Sequence, residues 1–142
     1  MVRLGSTTTE DPSRAGKYLS VGRSLHRNGQ ELDAVSESRY GNGLAIIAIH
    51  AAIAYTDAQT IAFRGIKSQD GDHVRAADVL AHALGQRREY EGQVNRLRRI
   101  LQAKSDASYS GQYYTLEEGR RILRETTEFI RWAEEMLANR PA

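Results

Sequence analysis

At 142 residues, with 40% hydrophobic and 27% charged content, the chain is long enough for one domain with a real core and has the composition of a soluble globular protein. Its 20 basic and 18 acidic residues give a formal charge of +2, too small for whole-molecule charge to point to nucleic acid. Because cysteine is absent, a disulfide framework, a thiolate nucleophile and a cysteine metal site are all excluded.

The first ten residues, including Ser6-Thr7-Thr8-Thr9, show no apolar period and no secretory core. A mobile leader is expected over 1–10 and a single helical domain over 11–140. The only prolines are Pro12 and Pro141, so nothing between them removes a backbone donor. Asp11-Pro12 offers an N-cap followed by proline at the first helical position. In the helix that follows, Tyr18, Leu25 and Leu32 recur every seven residues, and Val21 and Val35 form a second row. Asn28 fills the slot between those valines. It reads as a local irregularity beside Gly29, the alternative being a residue that fixes register by bonding to a partner.

Tyr40-Gly41-Asn42-Gly43 signals a turn. From Leu44 to Tyr55 the chain is apolar nearly all round, which predicts a central helix ending at the C-cap Gly65. The polar load of Thr56, Asp57, Gln59 and Thr60 argues against a membrane span. His50, set among Ile49, Ala51, Ala52 and Ile53, reads as a satisfied core histidine. A polar connection over Lys67–Asp72 leads to a short helix from near His73 to Gly85. Tyr90, Val94, Leu97 and Leu101 then stripe a fourth helix with a basic exterior. After a loop from Ser105 to Tyr114, Thr115-Leu116-Glu117-Glu118 is a capping box opening a last amphipathic helix with Trp132 at its border. The fold expected is all-α, a bundle of about four to five helices around a nearly all-apolar central one.

The Ala/Ile-rich helix ending in Tyr55-Thr56-Asp57-Ala58, the turn reaching Asp72-His73, the apolar pair Val79-Leu80 and the segment Ala107 to Thr115 follow one another in an order that resembles the HEPN superfamily. A cytoplasmic location is expected from the missing cysteines and secretory core, and the resemblance implies a helical bundle that dimerises, in some members a metal-independent ribonuclease toxin with an arginine and a histidine at the dimer cleft. In other members it implies a non-catalytic module that binds RNA or a nucleotidyltransferase-like antitoxin.

Such cleavage needs a base for the 2′-OH proton and cations for the phosphorus centre. His73 is the candidate base. Arg64 lies upstream of it with eight intervening residues, and Lys67 with five, against the family's four to six after an arginine. The arginine spacing therefore departs from the pattern, and lysine lacks the planar fork that grips phosphate. Arg75 and His82 match it literally, with six residues between them. Arg75, Arg96, Arg99, Tyr109 and Tyr113 are candidate contacts for single-stranded RNA, by charge and stacking. The four histidines show no His-x-x-x-His spacing, and Gly41-Asn42-Gly43 lacks the rest of a phosphate-binding loop, so neither metal nor cofactor is expected. A bundle outside this family that binds a protein partner through its amphipathic helices is a further reading.

Overall fold

A computed structural model of the chain describes residues 7–35, 39–69, 74–108 and 110–140. Among these lie five α-helices: α1 (Ala15–Val35), α2 (Asn42–Arg64), α3 (Val74–Ala83), α4 (Glu91–Ser108) and α5 (Leu116–Ala138). Two short strands, β1 (Thr7–Thr9) and β2 (Ile66–Ser68), pair antiparallel with Thr8 opposite Lys67. The chain is all-α apart from this clip.

The helix ends follow from local chemistry. The Asp11 side chain accepts from the Ser13 N–H at 2.9 Å and opens a 3-10 turn at Pro12 that leads into α1. Gly65 closes α2 in the left-handed region, φ 67°, with its N–H turned back to the Ile61 carbonyl. At α5 the capping box forms as the sequence predicts. The Glu118 N–H donates to Thr115 Oγ1 at 3.1 Å, and the Thr115 N–H donates to Glu118 Oε1 at 3.2 Å.

α2 is the axis of the core. Leu44, Ala45, Ala48, Ile49, Ala52 and Tyr55 are buried, packed with Leu80, Leu97, Ile100, Phe129 and Ile130 from the surrounding helices. Of the described helices, α2 alone is long and apolar enough to cross a membrane, yet 78% of its most apolar window is buried inside the protein. It is a core helix, as its polar residues predict. His50 differs from expectation: it lies on the exposed side of α2, because the helix is enclosed on most sides but not all.

The α1–α2 connection is stitched to the α4–α5 connection. The Gly41 N–H donates to the Tyr114 carbonyl at 2.8 Å, and the Leu116 N–H to the Arg39 carbonyl at 2.8 Å. The Asn42 amide donates to the carbonyls of Ala107 and Gln112, and its oxygen accepts from the Tyr114 N–H. Gly41 and Gly119 approach so closely that a Cβ at either would strike the other segment's backbone.

Candidate interaction face

α1 packs through its smallest residues. Ala15, Gly22 and Gly29, each seven apart, are its buried positions. A Cβ on Gly22 would sit 2.7 Å from Cδ2 of Tyr55, and one on Gly29 would lie 3.5 Å from Cγ2 of Ile47. Close approach rather than bulk therefore joins α1 to α2, and the order of these contacts makes the two helices antiparallel.

A second side of α1 is tied to α5 by polar groups. Arg23 grips Glu134 with two bonds of 2.8 Å, and the Tyr55 hydroxyl donates to the same carboxylate at 2.7 Å. The Arg23 guanidinium holds the Glu134 carboxyl below its ordinary range. Burial, and then the bond to Glu134, push the Tyr55 hydroxyl above its own. Arg120 reaches Asp33 at 2.6 Å, and His26 lies 3.0 Å from the Thr127 hydroxyl. Burial holds the His26 imidazole below its usual value.

Leu19 and Leu25 pack against the core, but the other large aliphatic side chains of α1 are turned outward. Val21 is 52% exposed, Leu32 38% and Val35 76%, while Tyr18 and Leu25 are half-buried along the same edge. The heptad rows seen in the sequence thus form a stripe whose outer residues, Val21, Leu32 and Val35, face the surface, while Leu25 packs against the core. Isolated exposed apolar residues are ordinary, whereas three along one helix make this face the candidate for interaction.

Among the described residues, those singled out for RNA chemistry are spread over α2, β2, α3, α4 and the segment before α5. His73 and Tyr109 lie outside the described residues. Lys67, on β2, stands 5.8 Å from the centre of the Tyr18 ring. Arg64 is exposed at the C-terminus of α2 and borders a cleft of about 470 Å³ with Arg87 and Arg140. The ends of α2, α3 and α5 converge there, and cations are suited to the carbonyl ends of helices. Arg75 and His82 are carried on α3. Arg96 pairs with Glu125 at 2.9 Å, while Arg99 is exposed. Tyr113 donates its hydroxyl to the Arg39 carbonyl and sets its ring edge-on to Tyr40. Trp132 is half-buried and packs beside Tyr90 and Phe129. No cluster of three or more His, Asp and Glu side chains suited to a metal occurs among the described residues.

One titratable group was missed in the sequence. Burial raises Asp57, only 9% exposed on α2, to about 7, against the opposing pull of the Lys67 charge. A lone acid in a helix that is otherwise apolar was the available signal.

These features define a small all-α bundle that presents one apolar helix stripe to its surroundings. The chain belongs to the virulence activator alpha C-term family, whose model matches residues 66–139, more than half of the sequence. No curated protein and no solved structure matches it. This match overturns the HEPN resemblance, and with it the toxin, the ribonuclease, the RNA-associated module and the nucleotidyltransferase-like antitoxin that the resemblance implied. The physical reason is that its components, an alanine-rich helix, a polar turn and a capping box, are shared by helical bundles at large. The grounds for assigning catalysis to His73, Lys67 and Arg64 fall with it.

Proposed function

We propose that this chain is a helical protein-interaction module that works by binding another protein along the α1 stripe. The observation that carries the reading is the exposure of Val21, Leu32 and Val35 on a helix whose own packing is made by Ala15, Gly22 and Gly29. A helix held by glycines on one side and by ion pairs on another leaves Val21, Leu32 and Val35 for an outside surface. The family description, the C-terminal part of a virulence activator, suits a module that acts through contacts with other protein parts. The cysteine-free composition suits work in the cytoplasm, with residues 11–140 acting as one helical domain.

The test is native mass analysis of the tagged chain in extracts of the cells that make it, beside a Val21→Glu/Val35→Glu variant with an unchanged melting curve. The wild type is expected in assemblies above its own mass and the variant as a monomer. A wild type that is monomeric and alone, or a variant that keeps the same assemblies, refutes the reading.

A further inference from the structure

We propose that the cleft where α2, α3 and α5 end is a binding site for a small amphiphilic carboxylate, an acyl chain carrying one acid group. The site is separate from the α1 stripe, and the proposal stands whether or not that stripe takes a partner. With a volume of about 470 Å³ the cleft falls in the size range of small-ligand pockets. Its floor is apolar. Leu84 is 7% exposed, and Phe63, Tyr90 and Met136 are half-buried against the core.

The rim is basic. Arg64 comes from the last turn of α2, Arg87 from the α3–α4 connection and Arg140 from just beyond α5, and no acidic side chain lines the cleft among the described residues. Neither Arg64 nor Arg140 has an ion-pair or hydrogen-bond partner among those residues. Arg87 bonds Glu89 at 2.8 Å, but that pair is 64% and 57% exposed and holds its geometry weakly.

The helix ends do not use up this charge. Each carries about half a negative elementary charge, so the three ends offset only about half of the three guanidinium charges. The ends also close on their own backbone: the N–H of Gly65 returns to the Ile61 carbonyl, that of Gln86 to the Ala81 carbonyl and that of Asn139 to the Glu135 carbonyl. The small positive excess matches a single carboxylate better than a polyacidic chain. A guanidinium fork grips a carboxylate with two parallel bonds, and an apolar floor beneath it keeps competing water away.

The floor decides the body of the ligand. The ring of Tyr90 is already engaged, by the Arg87 guanidinium 5.8 Å from its centre and by Trp132 with ring centroids 6.0 Å apart. Phe63, Leu84 and Met136 make up the rest, an uneven surface whose flexible thioether adapts to a chain more readily than to a flat ring. An uncharged chain would leave the guanidiniums unmatched, and an acid without a chain would leave the floor wet.

The probe is octanoate, titrated calorimetrically into the purified full chain at low salt. One octanoate per chain is expected, with a Kd below about 1 mM. Octanol and acetate, which each lack one half of the recognised group, should bind at least about tenfold more weakly. Arg64→Gln/Arg140→Gln, at exposed positions, is expected to keep the wild-type melting curve and to weaken octanoate at least about tenfold. If the paired substitution alters the melt, Arg140→Gln alone carries the test, with a loss of at least about threefold. Val21→Glu/Val35→Glu should leave the octanoate affinity unchanged. A Kd above about 1 mM, octanol binding as tightly as octanoate, or an affinity indifferent to the arginine substitutions each overturns the proposal. Loss of binding in Val21→Glu/Val35→Glu would place the probe on α1 and overturns it too, whereas the effect of that variant on assemblies in extracts judges the α1 reading by itself.

Discussion

Replacing Asp57 by asparagine is expected to change how stability depends on pH. In the folded chain, burial raises this carboxyl from 3.8 to about 7, outweighing the charge of Lys67. The unfolded chain releases the proton near the ordinary value, so between pH 4 and pH 7 the folded state holds more protons than the unfolded one. Stability from this group is therefore full below pH 4 and is lost as pH rises through 7. At about 1.4 kcal/mol per pH unit, the interval amounts to about 4 kcal/mol, a large share of the roughly 5–15 kcal/mol that holds a domain folded. The asparagine side chain has nearly the same shape and no charge to desolvate. The assay is urea unfolding of both chains from pH 4 to pH 8. Near pH 4 the two should be close, and by pH 8 Asp57→Asn should be the more stable by several kcal/mol. His26 and His50, both held below their usual values, add their own pH dependence, but they are common to both chains and cancel in the difference. A difference that stays flat from pH 4 to pH 8 would falsify the account of Asp57.

Gly22→Ala should destabilise the fold by about 1–3 kcal/mol in urea titration, because its Cβ would press on the buried Tyr55 ring. Gly16→Ala, where nothing lies within 4 Å, should be neutral or stabilise by up to about 1 kcal/mol; equal losses at both sites would show that close packing is not what glycine supplies in α1. Thr115→Ala should cost about 1 kcal/mol through loss of the α5 cap, read as a lower melting temperature, and an unchanged melt would show the cap to be idle. Gly41→Ala should prevent a cooperative melt altogether, since its Cβ would overlap the Thr115 carbonyl. A well-folded Gly41→Ala protein would mean that the two connections do not meet as described.

The legible parts of the fold were those written in bulk and periodicity. α2 is apolar on nearly every side and must be central, and α5 announces its start with Thr115 and Glu118. What escaped was the orientation of α1. Hydrophobic patterning weighs large side chains, so it finds Tyr18, Leu25 and Leu32, whereas the packing is decided by Gly22 and Gly29, which have no side chain to weigh. The β1–β2 clip escaped because Thr7–Thr9 and Ile66–Ser68 are too short to show an alternating period, and its formation brings part of the expected leader into the fold. The candidate site was half legible: the heptad stripe was seen, but whether it faced inward or outward depends on where α2 and α5 sit. The wider resemblance failed because order among common elements carries little information when each element is common.

The family match begins at Ile66, just after the helix on which the remaining helices pack. The segment shared with the family is therefore a shell of β2, α3, α4 and α5 around a core filled from upstream. Cut away from Asn42–Arg64, that shell would turn Leu80, Leu97, Ile100 and Phe129 towards water. The stretch that the family model matches and the unit that folds are offset in this chain by two helices, α1 and α2. Expressing the matched stretch by itself would yield a receptor for α2 in place of a free-standing domain, and the missing helix, supplied as a separate peptide, would be its natural ligand.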